Sequence, residues 1–152
     1  MDKIDKKILK ELQTDGRITM TELSNRVGLS KTPCIERVRR LEASGVIQGY
    51  GAYLDPTRLE AGHIAFVQVT LKDTTTSALQ EFNQAVKRVP QIQACHMIAG
   101  NFDYLLKVRT RDVAEYRQFL GTTIAQLPQV QHTSTFIVME AVSDRLTFSI
   151  PD

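Results

Sequence analysis

The sequence predicts an α+β chain in two parts: an N-terminal winged helix-turn-helix, then a βαββαβ, ferredoxin-like domain. Three observations carry this. Residues 1–45 hold three short apolar runs at helical spacing, the last two parted by a tight glycine turn. From residue 63 onward, β-branched runs alternate with helical runs in the order strand, helix, strand, strand, helix, strand. Between the halves, Asp55-Pro56-Thr57 is a turn signal, so 1–54 and 63–152 read as domains and 55–62 as the hinge.

The first helix has Asp2 or Asp5 as its cap, Ile4, Ile8, Leu9 and Leu12 as its apolar stripe, and Asp15-Gly16 as its stop. Thr19-Met20-Thr21-Glu22 is a capping-box pattern. It opens a short helix with Leu23 and Val27 inward, and Gly28 supplies the left-handed residue that ends it. A third helix follows at once and stops at Gly45, with Cys34, Ile35, Val38 and Leu41 inward. Its start is open between two caps. Thr32 would put Pro33 at the favoured first helical position, and a threonine before proline resists the helical region. Ser30 would put Pro33 within the first turn, where its missing N–H costs nothing. Residues 46–54 then read as an extended wing.

In the second half, 64–71 forms a strand. Ala78, Leu79, Phe82, Val86 and Val89 mark a helix ended by Pro90. Residues 92–99 and 104–109 are strands joined by Gly100-Asn101-Phe102-Asp103. Val113, Tyr116, Leu120, Ile124 and Leu127 mark a helix ended near Pro128, and 130–139 is the last strand. Helices on one sheet face leave the other bare. Phe66, Ile98, Leu105, Phe136 and Val138 would make it a large apolar patch, which a second copy would cover.

Charge narrows the function. The 152-residue chain has 19 basic and 17 acidic residues, so it is no bulk polycation. Yet residues 26–40 hold five basic residues against Glu36 alone. With the apolar stripe inward, Pro33, Glu36, Arg37 and Arg40 share the outward face of the third helix. A helix of this kind in the major groove reads bases with Arg and Glu and holds phosphates with its other basic residues. The plain alternative is a solvated surface helix.

Other classes are excluded or weakened. No apolar run exceeds four residues, against about 20 for a membrane helix. Residues 1–7 lack the apolar core of a secretory signal, so the expected location is the cytoplasm and no membrane partner is expected. Cys34 and Cys95 lie far apart, the three histidines are scattered, and neither a disulfide scaffold nor a metal site is expected. No phosphate loop, nucleophile elbow or carboxylate pair suggests an enzyme. An RNA-binding sheet would need a basic-Gly-aromatic-x-aromatic strand, and 104–109 has one aromatic. Asp103 stands apart as an acid in an otherwise apolar loop. It is an Asx-type turn residue or a ligand contact, and Asn101 has the same alternatives. Exposed N–H groups near Gly100 would suit a carboxylate.

Several segments together resemble the leucine-responsive regulatory protein (Lrp/AsnC) family of transcription regulators, closest to its leucine-responsive branch. They are Gly16-Arg17-Ile18, Glu22-Leu23-Ser24, Arg26-Val27-Gly28-Leu29-Ser30, Thr32-Pro33-Cys34 with Glu36-Arg37-Val38-Arg39-Arg40-Leu41-Glu42, and Ile47-Gln48-Gly49-Tyr50. Gly100-Asn101-Phe102-Asp103-Tyr104-Leu105-Leu106-Lys107 and Val138-Met139-Glu140 complete the set. The chain departs at Lys31, where that branch often has Pro, and at Asn101, where it often has Asp.

The resemblance implies a sequence-specific regulator that binds double-stranded DNA and whose DNA binding or assembly responds to leucine or another amino acid, with no other cofactor. It implies a homo-oligomer, a dimer on paired C-terminal sheets that assembles to an octamer or related ring. It implies Ser30 as the cap. The DNA-binding residues expected are then Ser30, Lys31, Thr32, Pro33, Glu36, Arg37, Arg39 and Arg40. The effector-binding residues implied are Met97, Gly100, Asn101, Asp103, Tyr104, Thr135, Phe136 and Ile137, between subunits. Rival readings are an architectural DNA-organising protein without effector and an enzyme subunit that uses the second domain as an allosteric module.

Overall fold

The computed structural model describes residues 1–151, which divide into two compact units. The first holds residues 1–53 and the segment after 142; the second holds residues 54–142. The segment after 142, expected as the end of the second domain, groups with the first unit. Past Ile137 the described residues form no further strand, and Phe148, Ser149, Ile150 and Pro151 line a groove with Lys10, Gln13 and Thr14 of the same unit.

The first unit is three helices: α1 (Lys3–Thr14), α2 (Met20–Val27) and α3 (Lys31–Ala43). Asp2 caps α1, and Asp2 and Asp5 bond each other's backbone N–H in a reciprocal capping box. Thr19 Oγ1 accepts from Glu22 N–H to start α2. Gly28, at φ 78°, ends α2 in the left-handed region, and Leu29 N–H reaches back to Ser24 O at 2.9 Å. The chain can then reverse into α3 within two residues. Ile8, Leu12, Leu23, Val27, Cys34, Val38 and Leu41 interlock as the core.

The strand expected after α3 does not form: residues 46–47 bend, 48–54 are irregular, and none pairs with a strand among the described residues. A strand needs a partner ladder, and this unit offers none. The segment is instead held by Ile47 N–H to Leu41 O at 3.1 Å and by Tyr50, whose hydroxyl donates to Glu42 at 2.9 Å.

The second unit is β1 (His63–Leu71), α4 (Thr76–Val86), β2 (Ile92–Met97), β3 (Tyr104–Thr110), α5 (Val113–Thr122) and β4 (Val130–Ile137). A 3-10 turn, Ile124–Gln126, shortens the second helix relative to the sequence pattern. The strands form one antiparallel sheet in the order β2-β3-β1-β4. Ala65, Val67, Val69, Leu106 and Val108 pack under Phe82, Tyr116 and Phe119 of the helices. On the other face, Phe66 lies opposite Phe136, and Leu105 sits among Gln68, Lys107 and Arg109. That face carries the expected Phe66, Leu105 and Phe136 but is mixed, because the polar half of each strand's alternation points there too.

Candidate nucleic-acid interface and ligand loop

Helix α3 begins where Ser30 is its cap residue, in extended conformation at φ −73° and ψ 159°. Thr32 lies inside the helix. The Ser30 hydroxyl makes no capping bond, so it stays exposed beside the free N–H groups of the first turn. Cys34, Val38 and Leu41 turn inward, and burial pushes the Cys34 thiol pKa up. Lys31, Thr32, Pro33, Glu36, Arg39 and Arg40 are exposed.

Arg37 is not where the helical wheel puts it. Its guanidinium turns toward the start of α1 and donates to Asp2 at 2.6 Å and to Asp5 at 2.7 Å. Arg40, though exposed, donates to both oxygens of Asp5 at 2.9 and 3.0 Å. The Asp5 carboxylate is 1% exposed and carries the cluster. Burial opposes its ionisation, but the Asp2 N–H, Arg37 and Arg40 outweigh it and hold its pKa below the usual range. Asp2 is held at about 2, first by the Asp5 N–H and then by Arg37.

Arg26 is committed as well, to Glu11 at 2.9 Å and Glu22 at 2.5 Å. Of the five basic residues in 26–40, then, three are tied to carboxylates. Lys31 and Arg39 make no ion pair among the described residues. The exposed cationic face is narrower than the charge count implied, and it is centred on Lys31 and Arg39 with Thr32 and Glu36 alongside.

The loop expected to hold an effector has a structural duty. Asp103 Oδ2 accepts from Leu71 N–H at 2.7 Å, where the β1–β4 register shifts between Thr70 and Leu71. Asp103 N–H donates to Val69 O at 2.9 Å, and Asp103 O accepts from Ile98 N–H at 2.8 Å. The side chain thus satisfies an N–H at an irregular point of the ladder. Gly100 and Asn101 are exposed at the loop tip; the Gly100 φ is not positive, and a side chain there would meet only Ile98 at ordinary contact distance.

Tyr104 begins β3 and is buried, its ring tilted on Phe82 at 4.4 Å between centroids. Burial raises its pKa first of all. Its hydroxyl makes no hydrogen bond of ordinary geometry. Met97, its register partner on β2, is 56% exposed.

The remaining expected residues sit elsewhere. β4 is the opposite edge of the sheet from β2, so within one chain Thr135, Phe136 and Ile137 lie three strands from Met97, roughly 14 Å at the usual strand spacing. Thr135 bonds the Tyr116 hydroxyl on the helix side, whereas Phe136 is 53% exposed on the other face. One chain brings together Met97, Gly100, Asn101, Asp103 and Tyr104 and leaves the β4 residues apart.

Sequence reasoning offered Asp2 and Asp5 only as caps of α1 and missed their pairing with Arg37 and Arg40. The available signal was Asp5 in phase with Ile8 and Leu12, an acid on the inward stripe of α1. Among the described residues no group of three or more His, Cys, Asp or Glu is placed to hold a metal, and no helix is long and apolar enough to cross a membrane.

Comparison with known proteins agrees across the chain. Residues 64–148 match the family described as Lrp/AsnC ligand binding domain, and residues 1–48 match winged helix-turn-helix DNA-binding. The chain is 53% identical over 144 residues to the proline dehydrogenase transcriptional activator of Rhizobium radiobacter, covering 95% of this chain and 92% of that one. It is 53% identical over 148 residues to the leucine-responsive regulatory protein of Escherichia coli strain K12, covering 96% and 90%. Among solved structures, an AsnC family transcriptional regulator from Agrobacterium tumefaciens superposes with TM-score 0.93 at 32% identity, covering 98% and 97% of the two chains. The transcriptional regulator NMB0573 from Neisseria meningitidis, in complex with L-Met, gives 0.91 at 32%, covering 98% and 96%.

Proposed function

The chain belongs to the Lrp/AsnC family of DNA-binding transcription regulators, which are not catalysts, and on that premise we propose how it reads DNA and senses an amino acid. The free face of α3 enters the major groove. Lys31 and Arg39 hold phosphates, with the Ser30 hydroxyl and first-turn N–H groups beside them. Thr32 and Glu36 face base edges, Glu36 as an acceptor for cytosine. Pro33 keeps the first turn rigid. Arg37 and Arg40 act from behind, through Asp5, by fixing the angle of α3.

The observation that carries this reading is the division of the basic residues into paired and unpaired sets on one helix. The test is selection of binding sites from random duplex DNA by the full chain, followed by titration in salt. A defined site, with affinity that falls steeply as salt rises, is expected. Uniform affinity for all duplexes would instead support an architectural role.

The effector is an apolar amino acid, and the 98–104 loop is its site on this chain. The name of the Escherichia coli relative and the L-Met complex of the Neisseria protein both support that class. Thr135, Phe136 and Ile137 complete the site from a second copy, since they are too distant within one chain. Assembly is therefore a homo-oligomer, a dimer or a higher ring such as an octamer. Two recognition helices about 34–36 Å apart, or a multiple of that, would read a pseudo-palindromic site. Light scattering should give at least twice 17.1 kDa. The protein acts in the cytoplasm, where its DNA is.

A further inference from the structure

A groove of about 340 Å³ runs between α4 and the edge strand β2, within one chain. Val86, Cys95 and Met97 give it an apolar side, and Asn83 and Gln93 a polar one. Cys95 is half-buried, and burial pushes its thiol pKa up to about 11, so it stays a neutral wall at neutral pH. At the floor lies Tyr104, 1% exposed, whose hydroxyl has no hydrogen-bond partner. At the rim stands Lys87, exposed and in no ion pair among the described residues. No lining residue is acidic. The Asp103 carboxylate is not part of the lining and is committed to Leu71 N–H.

A trough with one apolar side, one unpaired cation, one unpaired buried hydroxyl and no acid suits a particular ligand. It needs an apolar body, a carboxylate for Lys87, and an oxygen that can pair with Tyr104. An ammonium would find no carboxylate there and would face Lys87 across a small space. We propose that this groove binds a short apolar monocarboxylate without an ammonium group, a branched 2-oxo acid being the type. The 2-oxo oxygen would take the Tyr104 hydrogen bond and the alkyl chain would lie along Cys95 and Met97. The site goes beyond the effector reading above. It shares Met97 and Tyr104 with the loop but does not use Asp103 or a second copy. A regulator so built would weigh an amino acid against its deaminated counterpart.

The experiment is calorimetric titration of the full chain with 4-methyl-2-oxopentanoate, and separately with L-leucine, in wild type, Lys87→Gln and Tyr104→Phe. Saturable binding of the oxo acid is expected in wild type, about tenfold weaker in Lys87→Gln and several-fold weaker in Tyr104→Phe. Both variants should fold, since Lys87 is exposed and the Tyr104 hydroxyl leaves no partner behind. L-leucine binding should not depend on Lys87. No saturable binding of the oxo acid, equal affinity in wild type and Lys87→Gln, or a leucine response that falls with Lys87→Gln would each overturn the proposal. The loop reading stands or falls separately, on the leucine response of Asp103→Asn.

Discussion

Asp5 and Arg37, 32 positions apart, meet at 2.7 Å, and this contact joins the start of α1 to the middle of α3. The carboxylate is nearly sealed from water while the guanidinium keeps one side open. The packing of α3 against α1 is thereby tied to a buried acid rather than to an exposed one. Asp5→Ala should destabilise the N-terminal unit by about 1.5–3 kcal/mol, the usual worth of hydrogen bonds to charged groups. It should also lower DNA affinity. Urea denaturation followed by circular dichroism, beside DNA titration, checks both.

The same cluster gives a pH signature. Asp2 is held at about 2 and Asp5 is also held below the usual carboxylate range. Both values are depressed in the folded state. Their stabilisation is therefore fully present above the unfolded carboxylate value of about 4 and is lost as pH falls through the folded values. Urea stability should decline between about pH 4 and pH 2 in wild type, and less in Asp5→Asn, which lacks one of the titrating groups.

The two unpaired cations of α3 should behave unlike the paired ones. Lys31→Ala and Arg39→Ala should each weaken binding to every duplex alike and reduce the salt slope by about 1, with unfolding unchanged. Glu36→Ala should instead relax sequence preference at one position, by about 1–3 kcal/mol if it reads a base. Arg37→Ala should show lowered thermal stability together with weakened binding. Competition titrations in two salt concentrations, beside thermal melts, separate these cases.

Asp103 can be divided into its two duties. Asp103→Ala removes the acceptor for Leu71 N–H and should cost about 1–3 kcal/mol of stability in the second unit. Asp103→Asn keeps an oxygen there and should keep most of that stability. If the ligand's ammonium needs the charge, Asp103→Asn should lose the amino-acid response all the same. Melts and DNA titrations with and without leucine decide it.

The order of elements was legible in the sequence because burial imposes periods that survive in one dimension. Ile8, Leu12, Leu23 and Val27 declare helices, and Gly28 declares its turn by needing positive φ. The resemblance supplied the Ser30 cap, where local rules favoured Thr32. Arg37 was illegible because a long side chain can bend off its own face to reach Asp2 and Asp5. The groove under α4 was illegible too. Asn83, Lys87 and Cys95 become neighbours only when α4 settles on β2, and the empty hydroxyl of Tyr104 is a property of its surroundings. The strand read into 46–54 did not form for another reason: these residues have strand composition but find no ladder among the described residues.

The placing of β1 between β3 and β4 has a consequence for biosynthesis. β1 emerges first, yet its last partner begins roughly 60 residues later, which at about 5–20 residues per second is roughly 3–12 s of translation. The three helices of the first unit make their contacts earlier and over shorter spans of chain. Ile64, Ala65, Phe66 and Val67 leave the ribosome with neither edge of their strand paired until β3 follows, and with one edge still open until β4 does. This stretch is where a nascent chain of this protein would be held by a chaperone, and where slowed translation would most endanger its yield.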